Sequence, residues 1–134
     1  MKSTIKTTLT LFAIVLFLSC TGYGEKLTFN GTEVYYKEGI EKTEAENLGN
    51  FLIRSEFADG KSKSVQLAKN EENGNYIFRM VTNPEAQENQ QYEILFKVLA
   101  MQISDSVFNS QPVDFDVCNN TFESVKYLPF KESK

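Results

Sequence analysis

The chain has 134 residues, a length that fits one domain of ordinary size and not two. Hydrophobic residues at 41%, charged residues at 24% and a formal net charge of -4 exclude a disordered, collagen-like or coiled-coil chain. With no His, no Trp and two Cys, the Ser-His and Cys-His nucleophile arrangements are absent, and zinc would have to be held by carboxylates and one thiol.

Lys2 and Lys6 precede an apolar run over residues 9–18 that only Thr10 interrupts, and no acidic residue occurs before Glu25. The run is about half the roughly 20 residues that a membrane-crossing helix needs, so residues 1–19 read as an export signal peptide. It ends on Leu16-Phe17-Leu18-Ser19-Cys20, which resembles the lipobox of bacterial lipoproteins: apolar residues, a small residue, then the Cys that is lipidated. Phe17 departs from that pattern, where Leu is commonest. The resemblance implies a diacylglyceryl thioether on Cys20 and a palmitate-type acyl group on its amine. At about 0.8 kcal/mol per buried methylene, several chains hold a protein on a membrane almost permanently. A plain secretory signal cut near Gly22 or Gly24, with Cys20 discarded, is the other reading. On the first, residues 20–26 are the lipidated Cys and a tether with no acidic cluster. The expected location is then the bacterial cell envelope, lipid-anchored to a membrane and facing the periplasm. Acylation of Cys20 leaves Cys118 without a disulfide partner.

Residues 27–130 are expected to form a single α+β domain, followed by a tail over 131–134. Asn30-Gly31 and Asn73-Gly74 are hairpin signals, because both central residues of a tight two-residue turn need positive φ. The first turn places Leu27, Phe29, Val34 and Tyr36 on one face. The second sets Leu67 opposite Met80 and Lys69 opposite Phe78, with Val65, Leu67, Tyr76, Phe78 and Met80 sharing a face. A third hairpin, with a three-residue loop over 119–121, places Val113, Phe115 and Val117 with Val125 and Tyr127 and sets Asp114 opposite Lys126. That loop is preferred over a two-residue Asn119-Asn120 turn, which would bring Asp116 near Glu123.

Between the hairpins, Thr43 and Glu46 form a capping-box pattern ahead of Ala45, Leu48 and Leu52, with Asp59-Gly60 as the stop. A second helix is expected from near Asn83-Pro84-Glu85, its stripe of Tyr92, Leu95, Phe96, Leu99, Ile103 and Val107 facing a sheet. The predicted architecture is an antiparallel sheet with two helices on one face, in the order ββαββαββ, with a split-βαβ, ferredoxin-like core as one arrangement. Leu48, Leu52 and Phe57 lie a constant 51 positions before Leu99, Ile103 and Phe108, a faint sign of a doubled unit.

No position matches a catalytic, cofactor or metal motif. Cys118 has no flanking base and reads as a small apolar filler. Asp114 and Asp116 alternate along one strand, so they project from the same face, and are read as a solvated outer surface. As a pair of carboxylates they are also the residues a hydrolase of envelope polymers would use. Removing residues 1–19 takes Lys2 and Lys6 and no acid, leaving 14 - 2 = 12 basic against 18 acidic residues, a balance of -6 that disfavours nucleic acid and anionic headgroups. Asn30-Gly31-Thr32 is formally a glycosylation sequon, discounted in a tight bacterial turn.

Lys63-Ser64-Val65-Gln66-Leu67, Tyr76-Ile77-Phe78-Arg79-Met80-Val81 and residues 113–122 resemble segments of an uncharacterised module of bacterial envelope and membrane proteins. The resemblance carries no activity. The functional expectation is a lipid-anchored, non-catalytic module that binds an envelope protein as an adaptor, assembly factor or inhibitor, with neither cofactor nor nucleic acid. Its expected contact surface is the outward face of the sheet at Tyr35, Asp114, Asp116 and Phe122. A small-ligand binder is disfavoured, because a two-layer domain of this size encloses little volume beyond its core.

Overall fold

The structure is a computed structural model that describes residues 22–130; the expected signal peptide, Cys20 and the tail over 131–134 lie outside the described residues, as does the first part of the expected tether. Six strands form one sheet in sequence order: β1 (Glu25–Phe29), β2 (Thr32–Tyr36), β3 (Lys63–Lys69), β4 (Tyr76–Val81), β5 (Val113–Cys118) and β6 (Ser124–Leu128). Among the described residues three helices accompany them: α1 (Lys42–Arg54) between β2 and β3, then α2 (Pro84–Glu88) and α3 (Gln90–Val107) between β4 and β5.

The sheet is mixed, which corrects the antiparallel, two-helix expectation. Each hairpin is antiparallel, but β2 pairs with β3 and β4 pairs with β5 in parallel. A helix that runs back along a strand returns the chain to the end where that strand began, so the next strand must point the same way. In a split-βαβ core another strand separates the two parallel ones. Here they are direct neighbours, so the ferredoxin-like arrangement is excluded as well.

The first hairpin forms with the expected register: Leu27 pairs with Val34 and Phe29 with Thr32 across Asn30 and Gly31, at φ 45° and 87°. Its turn also receives the loop that follows α1. Gly60 N–H donates to the Asn30 carbonyl at 2.9 Å, the Asn30 amide donates to the Ala58 carbonyl at 3.0 Å, and a Cβ on Gly31 would come within 2.8 Å of the Gly60 backbone. The second hairpin keeps the expected faces with a longer loop. Asn70 N–H donates to the Asn75 carbonyl, so Leu67 pairs with Phe78 and Lys69 with Tyr76, two residues from the expected register.

The third hairpin departs further. A register shift at Val117/Cys118 pairs Asp116 with Tyr127 and Val117 with Lys126. One bulged residue moves every side chain of β6 to the other face. Leu128 therefore enters the core, whereas Val125 and Tyr127 stay outside, and Lys126 reaches Glu93 on α3 at 3.4 Å.

Helix α1 begins two residues before the expected capping box, the Glu44 carboxylate accepting from Glu41 N–H at 2.9 Å. It ends at Ser55, where Glu56 turns left-handed at φ 65°, ahead of Asp59-Gly60. The expected second helix is two. Asn83 caps α2 through Ala86 N–H, the chain breaks at Asn89, and Asn89 caps α3 through Gln91 N–H, each at 2.9 Å. Two Asn side chains six residues apart offer two helix starts, and both are used.

All three helices fall in the two crossovers, and the core lies between α1, α3 and one sheet face. Ala45, Leu48 and Leu52 of α1, with Phe96 and Ile103 of α3, bury Val34, Val65, Leu67, Phe78, Phe115 and Val117. Phe96 stacks on Phe115 with centroids 4.7 Å apart, and Tyr76 stacks on Phe108 at 3.8 Å. The Tyr76 hydroxyl donates to the Glu44 carboxylate, and burial together with that carboxylate pushes its pKa up to about 12.

Gly49 is buried on α1, where an added Cβ would overlap the Phe29 ring. Alanine gains roughly 1 kcal/mol of helix propensity over glycine, whereas overpacking costs about 1–3 kcal/mol. Gly49→Ala is therefore expected to lower the urea midpoint, and Gly49→Ala in a Phe29→Leu background to lower it much less. Equal losses in both backgrounds would show that the ring is not the obstacle.

Candidate functional site

The outer face of the sheet carries the residues singled out from the sequence. Pairing across five strands sets Tyr35, Gln66, Arg79, Asp116 and Tyr127 in one row, because each is the direct partner of the next. At its centre Arg79 Nε donates to Asp116 at 2.9 Å, one Nη donates to the Gln66 side-chain oxygen, and the other donates to the Phe122 carbonyl at 2.6 Å. The Gln66 amide donates onward to the Tyr23 carbonyl at 2.8 Å, and Ser124 donates to the second Asp116 oxygen. Above this layer Tyr23, Tyr35 and Phe122 meet edge to face, with centroids 5.0–5.8 Å apart. Phe122 holds a left-handed backbone at φ 58°, costly for a bulky residue, and the Arg79 bond to its carbonyl fixes that turn.

The sequence-derived surface is brought together but not laid open. Tyr35 and Phe122 touch, yet Phe122 is 7% exposed, Asp116 4% and Asp114 1%. The reading of the two carboxylates as a solvated face is therefore corrected. Asp114 accepts from the Tyr127 hydroxyl at 2.6 Å, Phe130 N–H at 2.8 Å and the Asn75 amide at 3.2 Å. Lys126, its expected partner, points to the helix side instead. Both oxygens of Asp114 and both of Asp116 thus already accept hydrogen bonds within the fold. Among the described residues no group of three or more His, Cys, Asp or Glu is placed to hold a metal ion.

Cys118 closes β5 on the same outer face and is fully buried. Its thiol donates toward the Asp116 carbonyl at 3.5 Å, and burial, helped by the Asp116 charge, pushes its pKa up to about 12. Burial and the bond to Asp114 raise the Tyr127 hydroxyl in the same direction. Neither is activated for chemistry at neutral pH.

On the helix side a further apolar surface is exposed, in addition to Val125 and Tyr127 on the outer face. Helix α3 carries apolar residues on both its sheet-facing and its outward sides, interspersed with polar ones such as Glu93, Lys97 and Asp105. Phe96, Ala100 and Ile103 face the sheet, but Ile94, Val98 and Met101 recur at i, i+4 and i+7 on the opposite side, at 64%, 44% and 54% exposure, and Leu95 beside them is 60% exposed. The expected stripe is thus right at Phe96 and Ile103 and corrected at Leu95 and Tyr92, which are exposed. The outward row went unnoticed in the sequence because the inward one accounted for the helix. The signal for it was excess: α3 carries more large apolar residues than one buried face can use.

Residues 26–128 match the family model AF_1994_N, described as a family N-terminal domain. The chain belongs to this family. No curated protein and no solved structure matches it. The matched region begins in β1 and ends with β6, so the family domain and the sheet are the same unit.

Two outcomes follow for the outer face. Replacing Arg79 strands a buried carboxylate, which costs about 3–5 kcal/mol, so Arg79→Met is expected to move the urea midpoint far more than Lys26→Met at the exposed Lys26–Glu33 pair. For Cys118 the folded pKa lies above the unfolded one, so its contribution is complete below about pH 9 and is lost as pH rises toward 12. Urea midpoints between pH 7.5 and 10.5 are expected to fall at the alkaline end, and to fall less in Cys118→Ala.

Proposed function

We propose that the protein is a lipid-anchored component of the bacterial cell envelope, held by acylated Cys20, whose domain binds another envelope protein without catalysing a reaction. The observation that carries the binding role is the outward row Ile94, Val98 and Met101, with Leu95, on a helix whose other side is fully occupied by the core. No helix among the described residues is long and apolar enough to cross a membrane, which leaves the lipobox-like segment to supply attachment on this reading.

The occupant we assign to the row is a helix or groove of a different protein. From about 25 cal/mol per Å² and 1.5–3 kcal/mol per large apolar side chain, the four partly exposed residues offer on the order of 200 Å² of apolar surface. A standard interface buries about 800 Å² per partner, so this row is the apolar centre of a contact whose rim the partner must supply. Two copies of α3 alone would fall well short. The row advances about 10 Å along the axis, enough for one crossing at ordinary helix spacing. The competing hydrolase reading loses its residues, since Asp114 and Asp116 are both buried and hydrogen-bonded.

In cells, Cys20→Ala is expected to abolish acylation and release the protein from the membrane fraction. A photocrosslinking residue at Val98 is expected to give a discrete adduct that the same residue at Val125 on the outer face does not give. Affinity of the partner so identified, measured with both purified full-length proteins, should fall at least tenfold on Val98→Asp with the urea midpoint unchanged. Adducts of equal yield at Val98 and Val125, or an affinity indifferent to Val98→Asp, would overturn the docking assignment; persistent membrane attachment of Cys20→Ala would overturn the anchor.

A further inference from the structure

Helices α1 and α3 run in opposite directions over the sheet, and at one end the chain leaving α1 and the chain entering α2 diverge. The gap between them is a crevice of about 440 Å³. Its walls are Phe57 from the α1–β3 connection, Met80 from β4, Ala86 from α2, and Tyr92 and Phe96 from α3, with Lys63 at its mouth. That volume lies within the roughly 300–1,000 Å³ of small-molecule sites, and the place is where such sites form in sheets with helical crossovers, at the ends of strands where connections part. The sequence predicts little enclosed volume beyond the core, and this space is an open crevice beside that core.

The walls combine apolar and polar groups. Three aromatic rings and a thioether present apolar surface, Ser62, Ser64, Thr82 and Asn83 add uncharged polar groups, and among the described residues Lys63 is the only charged one that lines the crevice. In a chain of net charge -4 a carboxylate-free lining with one ammonium is a local reversal. The ammonium is held in place: Nζ donates to the Phe57 carbonyl at 2.5 Å and to Asp59 at 2.8 Å, and stands 5.0 Å from the Phe57 ring centroid. An ammonium has three N–H donors, so one stays available to a ligand. Asp59 screens part of the charge, which limits the preference it can impose.

We propose that this crevice binds a small amphiphile with an apolar body and a single anionic head, the body against Met80, Phe57 and Tyr92 and the head on Lys63. The chain's own N-terminal segment does not fit the part, because Tyr23 is packed on Tyr35 and Phe122, on the opposite face of the sheet. Nor is the crevice the outward row of α3: Ile94, Val98 and Met101 do not line it.

The methionines make the test selective, since Met80 lies in the crevice and Met101 on the outward row. The full chain in lipid nanodiscs, labelled at methionine methyls, is titrated with octanoate and separately with octanol, each corrected for partition into empty discs. The Met80 methyl is expected to shift saturably with octanoate and the Met101 methyl to stay put. Octanol should need about three- to fivefold more, the preference a half-screened ion pair can give. In Lys63→Gln octanoate should fall to the level of octanol while octanol is unchanged. Should Lys63→Gln fail to fold, Ala86→Leu serves instead: it fills the crevice from a half-exposed helix and should abolish the Met80 response to both probes. An unresponsive Met80, or shifts at Met101 alone, would overturn the site. Equal binding of the acid and the alcohol to the unaltered protein would overturn the anionic head.

Discussion

The Arg79–Asp116 pair is the one interaction that reaches all three hairpins. It joins β4 to β5 across their parallel pairing, and the same guanidinium continues through Gln66 to the Tyr23 carbonyl ahead of β1 and directly to Phe122 ahead of β6. With side-chain exposures of 18% and 5%, neither charge is left to water. A pair this dry is held only when its polar atoms find partners, and here each guanidinium nitrogen and each Asp116 oxygen has one. It fixes which strands are neighbours, because a cation at the middle of β4 finds its carboxylate only if β5 lies alongside in the observed register.

Two consequences follow for function. The carboxylates that alternate in Val113-Asp114-Phe115-Asp116 are consumed by the fold, so the outer face carries a hydrogen-bonded layer of its own. The aromatic trio of Tyr23, Tyr35 and Phe122 then covers the guanidinium, Phe122 lying 5.9 Å from it by centroid. On the proposed function, recognition would fall to the helices, where α3 keeps apolar side chains on both sides and its break from α2 helps to open the crevice beside it.

Much of this was legible in the letters and some of it could not be. Asn30-Gly31 set the register of β1 and β2 outright, since only one tight turn suits that pair, and Ala45, Leu48 and Leu52 declared the buried side of α1. The parallel pairings were implicit in three hairpins joined by two helical crossovers, but neighbour relations between hairpins are long-range facts that no local pattern carries. Arg79 passed without notice, although a lone cation in the middle of Tyr76-Ile77-Phe78-Arg79-Met80-Val81 demands a buried anion on the same face. Asp116 was the available answer. The bulge at Val117/Cys118 was the least accessible feature, because Val125 and Tyr127 make the more apolar face of β6 and Ser124 and Lys126 share the other with Leu128, so the alternation points to the wrong face. The crevice depended on the α2–α3 break, and a run of Gln and Glu over 87–91 gave no sharp signal of it.

The outer layer and the proposed anchor bear on each other through distance. Tyr23 lies three positions after Cys20, and extended chain covers at most about 3.6 Å per residue, so an acylated Cys20 would hold Tyr23 within roughly 11 Å of the membrane surface. Tyr23 is itself fixed to the outer face by its carbonyl bond to Gln66 and its contacts with Tyr35 and Phe122. Anchoring would then bring that closed face to the bilayer and turn the helix layer toward the aqueous side. A sheet with both faces packed separates the anchor from α1 and α3, and the outward row of α3 is met first by anything arriving from the compartment. Sealing the outer face with Arg79 and opening the helical one are on this view a single arrangement, in which the side that needs no partner is the side held against the membrane.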